Sequence, residues 1–448
     1  MPVSAALYKM AIPTIISQLI TLIYNIADTW FIGKTNNPYM VAASSLVLTV
    51  YMLTVVLGNL FGVGGGTLMV RLMGQGRTEE ADKVASMSLM FSAGAALVFS
   101  LSCLLTMNPL LQLLGASDNT IVYARQYLFF VVVLGAVPVV MTNVMSTMVR
   151  NVGFSKMAGM GLSMGGILNV LLDPLFMFVL MPEGYEVVGA ALATLLSNIV
   201  VLVYFILVYT RIRDKSVLHL PVRIERLEKA SLRSMFAVGV PAATGVLLFD
   251  VTNMIINRMS AAHGDLQLAA MGIVLKVERL PLNIGIGICL GMVPLVAYNY
   301  ASGDRERMKR FFTTARRAGL TVALISVVMY RLAAPAIMKA FIADAETVAL
   351  GTEFLKARCF ATPVMFLSFQ MVHFMQAINQ GKPAFWMPII RQIVLNIPML
   401  LILNRLFGMQ GIIWTQVSAD ILNVAASYAI YYRVRKSVRL YEPAEKIL

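Results

Sequence analysis

The first long apolar run of this chain ends in the stretch Leu22-Ile23-Tyr24-Asn25-Ile26-Ala27-Asp28-Thr29-Trp30-Phe31-Ile32-Gly33. The run from Ile12 to Lys34 is long enough to cross a lipid bilayer as one helix, for which about 20 apolar residues suffice. Asp28 lies inside this run, where a carboxylate costs roughly 2.5 to 3.5 kcal/mol to insert. The stretch therefore predicts a membrane protein in which Asp28 has a functional role.

The composition extends this interpretation to the whole chain. Of 448 residues, 59% are hydrophobic and only 13% are charged, whereas soluble domains contain about 25% charged residues. Twelve apolar runs lie near residues 13–33, 41–66, 85–107, 121–147, 158–181, 188–210, 234–257, 268–297, 316–337, 351–377, 384–404 and 410–432. The sequence therefore predicts an all-α polytopic membrane protein with twelve transmembrane helices.

The net charge of +14 is distributed unevenly among the connections. Basic residues, among them Arg71, Arg150 and Arg391, concentrate in every second connection and at both ends of the chain. The alternate connections hold few of them, namely Lys34, Arg258, Lys339 and Arg405. The positive-inside rule then predicts that both termini are cytoplasmic. Because no basic domain stands outside the apolar runs, nucleic acid is not expected as a partner.

The two halves of the chain resemble each other. A shift of 227 residues places Gly58 on Gly285, and a shift of 228 places Pro13 on Pro241. Parallel repeats of this kind form two bundles facing a central cleft, which suits alternating access. The predicted domains are an N-lobe at 1–210 with helices 1–6, a cytoplasmic inter-lobe loop at 211–233, a C-lobe at 234–432 with helices 7–12 and a cytoplasmic tail at 433–448.

Two predicted helices of the first half carry an acid with a polar residue one turn away. Tyr24 lies four residues before Asp28, and Asn169 lies four residues before Asp173, so each pair shares a helix face. Carboxylate, amide and hydroxyl oxygens suit Na⁺ or H⁺. The alternatives are a polar clamp between helices and, for Asp173, a position at the outer interface. Asn143 and Thr194 could line the same lobe or form ordinary interhelical hydrogen bonds.

The second half does not repeat these acids, because Ile256 and Leu400 stand where the shifts place Asp28 and Asp173. Its own polar residues are candidates for a substrate cleft: Asp250, Lys276, Glu278, Arg279, Gln370 and Gln376. For Glu278 and Arg279 a local ion pair is the alternative.

Enzyme and cofactor chemistry are not expected. The sequence contains no nucleotide motif and no constellation of serine, histidine and acid. The cysteines and histidines are too scattered for a metal site: Cys103, Cys289, Cys359, His219, His263 and His373. If the protein transports a substrate actively, the energy must then come from an ion gradient.

Four stretches together resemble a known family over nearly the whole chain. They are Leu22 to Gly33 with Pro13, Asn169-x-x-x-Asp173, Gly189-Ala190-Ala191-Leu192-Ala193-Thr194, and Pro294-Leu295-Val296-Ala297-Tyr298-Asn299-Tyr300-Ala301-Ser302-Gly303. The chain resembles the multidrug and toxic compound extrusion (MATE) family of transporters.

The resemblance implies a monomeric antiporter in the plasma (inner) membrane of a prokaryote, exporting cationic or amphipathic drugs and other xenobiotics in exchange for H⁺ or Na⁺. It implies a cation-coupling site formed by Tyr24, Asp28, Asn143, Asn169, Asp173 and Thr194, in which Asp28, Asp173 and Asn169 are the metal ligands if the ion is Na⁺. Other family members carry an acid on helix seven or ten. Asp250 is near the former position, but helix ten here shows Gln370, His373 and Gln376 and no acid.

Two alternative functions remain open. A flippase for lipid-linked precursors, in the same broad superfamily, would need a strongly cationic cleft, for which only Lys276 and Arg279 are available. A channel or a membrane-embedded enzyme would need rings of like charge or catalytic residues, and the sequence shows neither.

Overall fold

The computed structural model describes residues 1–35, 37–220, 228–438 and 440, and within this part the secondary structure is helical without β-strands. The α-helices found there are α1 (Val3–Gly33), α2 (Pro38–Gly74), α3 (Thr78–Leu105), α4 (Met107–Leu113), α5 (Asp118–Leu128), α6 (Ala136–Asn151), α7 (Ser155–Leu175), α8 (Glu186–Ile212), α9 (Lys229–Ala261), α10 (Asp265–Ala301), α11 (Arg305–Phe341), α12 (Ala345–Arg358), α13 (Ala361–Ala377), α14 (Gly381–Ile389), α15 (Ile397–Phe407) and α16 (Met409–Ser437). The prediction of an all-α membrane protein is confirmed. Four basic residues of the predicted loop and tail lie outside the described part: Arg223, Arg226, Arg439 and Lys446.

Each of the twelve predicted crossings has a helical counterpart. Nine helices of the described part are long and apolar enough to span a membrane, and a pair bent by 44° (118–134 with 136–151) makes a tenth. The other two counterparts are α12 with α13, where α13 has only 17 residues, and α16. In α16 the apolar pattern is interrupted by buried polar residues, including Gln416, Asp420 and Asn423.

Three crossings contain a π-helical segment: Phe129–Leu134 before α6, Phe176–Leu180 after α7, and Ile390–Asn396 between α14 and α15. Pro138 and Pro398 follow two of these segments, and a proline offers no N–H to the carbonyl one turn before it. The chain accommodates the missing hydrogen bond by local widening of the helix. Pro174 lies inside α7, just before the segment Phe176–Leu180.

Several helices extend well beyond the apolar runs that predict them. The helices α2, α10 and α11 each have 37 residues, which corresponds to about 55 Å. A hydrocarbon core is only about 30 Å thick, so each of these helices is longer than a crossing requires. Arg71 and Arg150, assigned to loops by the sequence pattern, are instead buried at the ends of α2 and α6.

The chain divides into two compact units. The first unit is Ile16–Ala243, and the second unit combines Met1–Ile15 with Thr244–Leu448. Both α1 and α9 are therefore shared, and in each helix the division falls two to three residues after a proline, Pro13 or Pro241. The predicted lobes at 1–210 and 234–432 remain a prediction.

A pair of equivalent glycine contacts reveals the internal repeat in three dimensions. In the first unit Gly189 lies against the backbone of Phe176 and Met177. In the second unit Gly411 lies against the backbone of Leu403 and Asn404, which are the positions that the shift of 227 residues assigns to Phe176 and Met177. No side chain fits between the two helices at either contact, so glycine permits the close helix packing.

Gly411→Ala should lower the melting temperature of the purified protein, because the added methyl group overlaps the carbonyl oxygen of Leu403. Overpacking of this kind costs about 1 to 3 kcal/mol. Gly94→Ala is the matched control, since Gly94 lies in α3 with nothing within 4 Å of the added atom, and alanine favours the helix by up to about 1 kcal/mol. Equal melting temperatures for the two variants would contradict the close contact.

Candidate functional site

Three of the predicted site residues form one hydrogen-bonded group in the first unit. Asn169 and Asp173 lie one turn apart on α7, and Thr194 lies on α8. The Asn169 amide nitrogen donates to Asp173 Oδ1 at 3.3 Å and to Thr194 Oγ1 at 3.2 Å. The carboxylate of Asp173 is completely buried, so the structure places it inside the helix bundle rather than at the outer interface.

Asp28 faces an adjoining cavity of the first unit. This cavity holds about 650 Å³ of empty space, part of it open to solvent. Its wall consists of Tyr24, Asn25, Asp28, Thr29 and Ile32 from α1, Val41, Ser44, Ser45, Leu48 and Tyr51 from α2, and Tyr127, Val131 and Thr194. Thr194 therefore connects the cavity with the Asn169–Asp173 group.

The two carboxylates belong to one polar group, because Thr194 lines the cavity with Asp28 and accepts from the Asn169 amide, which also donates to Asp173. Two like charges in a poorly solvated site disfavour each other's ionised form. A proton or a metal cation placed between them would relieve this repulsion. The pair is therefore suited to binding a small cation.

Three buried oxygen atoms of this group have no hydrogen-bond partner: Asp28 Oδ1, Asn169 Oδ1 and Asp173 Oδ2. Buried polar atoms are nearly always paired in folded proteins, and a group of exceptions calls for a specific explanation. All three atoms are acceptors, and hard cations prefer oxygen ligands. These three oxygen atoms are therefore suitable ligands for H⁺ or Na⁺.

Neither aspartate forms an ion pair with a basic side chain in the described part of the chain, where the ion pairs involve other residues. The same part contains no cluster of three or more His, Cys, Asp and Glu. A metal ion here would consequently depend on two carboxylates supplemented by amide and hydroxyl oxygens.

Two tyrosines of the cavity were missed by the sequence pattern. Tyr51 on α2 and Tyr127 at the end of α5 line the same wall as Tyr24. Each tyrosine adds one hydroxyl group to an apolar run. Only the packing of the helices shows that these hydroxyl groups line the same cavity as Asp28.

Asn143 lies apart from this group. Its side chain packs against Gly58 of α2, at 2.9 Å from where a Cβ atom on that glycine would stand. It is not among the residues that line the cavity. Its predicted part in cation coupling has no direct contact to support it.

Three acids of the second unit are each paired with an arginine. Glu278 binds Arg358 through two hydrogen bonds of 2.9 and 3.0 Å. Asp420 binds Arg391 through two of 2.6 and 3.1 Å. The half-exposed Asp250 lies 3.8 Å from Arg279.

Two expectations about these charges were wrong. Glu278 does not pair with its neighbour Arg279 but with Arg358, which is 80 positions away and only 2% exposed. Arg391 does not lie in a cytoplasmic loop but in the π-helical segment Ile390–Asn396, where it is buried. The assignment failed because Arg391 was counted with the connection although it falls within the apolar run 384–404. An arginine with a buried partner can lie within such a run.

The remaining substrate-cleft candidates do not form one site. Lys276 and Arg279 are exposed on α10, and Gln370 and Gln376 are buried on α13. Gln370 donates to the Phe312 carbonyl oxygen at 2.9 Å and accepts from Arg316 at 3.3 Å. A cavity in the second unit is lined by Glu278 together with Arg358, Phe366 and Phe369, so Glu278 alone of the six predicted residues reaches it.

A family model described as MatE matches residues 13–175 and 241–402, which is more than half of the chain. The chain belongs to the MatE family. The two matched segments start at a shift of 228 residues and end at a shift of 227, the register that the repeated glycines and prolines predict. The resemblance noted from the sequence is confirmed, and this MatE protein is a multi-pass membrane transporter rather than an enzyme.

Relatives and solved structures agree with this assignment. The multidrug export protein MepA of Staphylococcus saprophyticus is 30% identical over 95% of this chain and 92% of its own length, and MepA of Staphylococcus haemolyticus is 31% identical over 96% and 93%. An outward-facing conformation of a multidrug resistance MATE family transporter of the MOP superfamily matches with a TM-score of 0.90 at 22% identity, covering 99% of this chain and 97% of that one. MATE in the straight conformation matches with a TM-score of 0.89 at 22% identity, covering 97% and 98%. At this identity the structures establish a common fold.

A cysteine introduced at Ser45 should react with a maleimide in the purified MatE protein, because Ser45 is exposed and lines the cavity beside Asp28. The native cysteines are all buried, so the background reaction should be slow. We expect Ser45→Cys to react at least about tenfold faster than Ser88→Cys, whose position is completely buried. Similar labelling rates in the two variants would show that the cavity is closed.

Proposed function

We propose that this MatE protein exports cationic or amphipathic small molecules in exchange for H⁺ or Na⁺, by alternating access, with the coupling ion held at Asp28 and Asp173. The observation that carries the proposal is the group of three buried and unpartnered oxygens on Asp28, Asn169 and Asp173. The MepA relatives are multidrug export proteins by name, which supports drugs as the exported compounds.

The chemistry of the site provides a reason for coupling. Two ionised carboxylates inside a bilayer are costly, and each bound cation removes one of those charges. A proton would bind one carboxylate and allow it to donate a hydrogen bond to a free acceptor such as Asn169 Oδ1. A sodium ion would bind oxygens of Asp28, Asp173 and Asn169, with Tyr24 and Thr194 beside it. In either case the helices change their packing more easily with the ion bound than without it.

A cationic substrate and the coupling ion would compete for the same negative charge. The cavity brings Asp28 together with Tyr24, Tyr51 and Tyr127. Their aromatic rings can attract an organic cation, which gains roughly 0.5 to 2 kcal/mol from each such contact. Binding of the inorganic ion would then favour release of the organic one, as exchange requires.

The charges favour an exporter of cations over a flippase for lipid-linked precursors. Such a flippase needs unpaired basic residues for a pyrophosphate group. Of its two candidates, Arg279 lies beside Asp250 and Lys276 is exposed. The first-unit cavity is lined by an acid and includes no basic residue.

We further propose the membrane arrangement that the sequence predicts: two six-helix lobes in the inner membrane of a prokaryote, both termini in the cytoplasm, and a monomer as the working unit. Basic residues at the connection after α10, including Arg305, Arg307 and Lys309, support a cytoplasmic position for that end of the helices.

Asp173→Asn should lower the initial rate of ion-driven efflux by roughly tenfold or more, because a neutral amide is a far weaker ligand for a cation than a carboxylate. The assay is efflux of a fluorescent organic cation from vesicles with an imposed Na⁺ gradient or pH gradient, applied separately. The gradient that drives the wild-type protein identifies the ion. Glu80→Gln is the control, since Glu80 is a surface residue paired with Arg77, and it should transport like the wild type. Undiminished ion-driven efflux by Asp173→Asn would refute the site.

The proposed orientation makes opposite predictions for two connections. A cysteine at Asn37, between α1 and α2, should react with a membrane-impermeant maleimide in intact cells. A cysteine at Ser302, which is exposed between α10 and α11, should react only after the cells are permeabilised. The reverse pattern would place both termini outside.

A further inference from the structure

The second unit retains the polar centre of the first unit in an altered form. The shift of 227 residues that takes Phe176 and Met177 to Leu403 and Asn404 also takes Asn169 to Asn396. On the following helix, a shift of 222 residues takes Gly189 to Gly411. Thr194 follows Gly189 by five residues, and Gln416 follows Gly411 by five. Asn396 and Gln416 are thus the repeat equivalents of Asn169 and Thr194.

These equivalent residues make equivalent hydrogen bonds. The amide nitrogen of Asn396 donates to Gln416 Oε1 at 3.2 Å, as that of Asn169 donates to Thr194 Oγ1 at 3.2 Å. In both units the Oδ1 atom of the asparagine is buried without a partner. The repeat has therefore preserved the amide, its hydrogen bond and its unsatisfied oxygen, although the partner residue changed.

The acids differ between the two units. Leu400 and Ile256 occupy the repeat positions of Asp173 and Asp28, and the second unit has its carboxylate at Asp420 on α16 instead. Gln416 links this carboxylate to Asn396, since its amide nitrogen donates to Asp420 Oδ2 at 2.5 Å. One acid thus remains connected to the asparagine that recurs in both units.

A fixed positive charge accompanies that acid. Arg391 holds Asp420 by two hydrogen bonds of 2.6 and 3.1 Å, and both side chains are at most 6% exposed. The guanidinium also lies over the ring of Phe369, 4.9 Å from its centre, and near that of Phe249 at 5.9 Å. Asp28 and Asp173, by contrast, form no ion pair with an arginine among the described residues.

We propose that Arg391 is a tethered cation that permanently fills, in the second unit, the role that a mobile ion fills in the first. The inference rests on the proposed function, because it takes the first-unit aspartates to be the ion-exchange site. The Asp420 centre is accordingly a cation site occupied by the protein's own guanidinium, and only the first unit exchanges ions during transport. Removal of the Arg391 side chain should open the site to a small cation, for which free guanidinium is the best-fitting probe.

A plain structural ion pair would explain the contact between Arg391 and Asp420 but not its surroundings. Such pairs can often be replaced by apolar residues without loss of stability. A purely structural ion pair would also not require an asparagine and an amide hydrogen bond at the repeat positions of Asn169 and Thr194. The two explanations differ in whether the emptied site binds a cation selectively.

The test uses purified full-length protein in which Asp28→Asn and Asp173→Asn remove the first-unit acids. In this background, thermal unfolding is followed against increasing guanidinium chloride at low millimolar concentration, sodium chloride, or choline chloride, whose cation is too large for the site. Adding Arg391→Met should produce a saturable rise of the melting temperature with guanidinium or Na⁺ and none with choline. Arg391→Lys, which keeps a tethered charge, should not respond, and Arg391→Met with Asp420→Asn should lose the response.

A folded Arg391→Met variant whose melting temperature responds no differently to guanidinium, Na⁺ and choline would overturn the proposal. If that variant does not fold, calorimetric titration of the Asp28→Asn, Asp173→Asn protein with Na⁺, and measurement of proton release on changing pH, provide a second test. The proposal requires no coupling-ion binding there, because Arg391 still occupies the second site, and residual stoichiometric binding would contradict it. Loss of the proposed function alone would appear differently, as ion-driven efflux that persists in Asp173→Asn.

Discussion

A carboxylate inside a bilayer needs a compensating positive charge, and the two units of this protein meet that requirement in opposite ways. In the second unit, arginine side chains supply the charge to Asp420, Glu278 and Asp250. In the first unit, Asp28 and Asp173 have no such partner among the described residues and retain unpaired oxygens. Fixed compensation neutralises the acid permanently, whereas an uncompensated acid favours the binding of an ion that can enter and leave, as we propose for the first unit.

Irregular helical segments lie next to the polar residues of both units. The segment Phe129–Leu134 begins two residues after Tyr127, and Phe176–Leu180 begins three residues after Asp173. The segment Ile390–Asn396 includes both Arg391 and Asn396. A π-helical turn changes the direction of the side chains that follow it and leaves backbone groups less tightly paired, which is why such turns are frequent at functional sites. The same local geometry thus positions the proposed ion site in one unit and an internal ion pair in the other.

The sequence predicted the features that depend on local spacing. Apolar runs identified the helices, and acids within those runs identified Asp28 and Asp173, because both signals are read from neighbouring residues. The four-residue spacing to Asn169 correctly placed its amide beside Asp173. Contacts between helices could not be obtained in this way. Tyr51, Tyr127 and the pairing of Glu278 with Arg358 depend on how separate helices pack, and Asn143 lies on a helix face that only the packing against Gly58 identifies.

The unequal units also limit the energy available for transport. If the two first-unit acids together exchange one monovalent ion, export of a monovalent organic cation in the opposite direction moves no net charge. The membrane potential, worth about 2.3 kcal/mol per charge at 100 mV, then contributes nothing to cation export, and a tenfold ion gradient supplies only about 1.4 kcal/mol. A neutral amphipathic compound exchanged for the same ion would gain both contributions. A single exchange site would therefore drive neutral substrates further than cations, whereas a second exchangeable site in place of the Arg391–Asp420 pair would make the potential available for both.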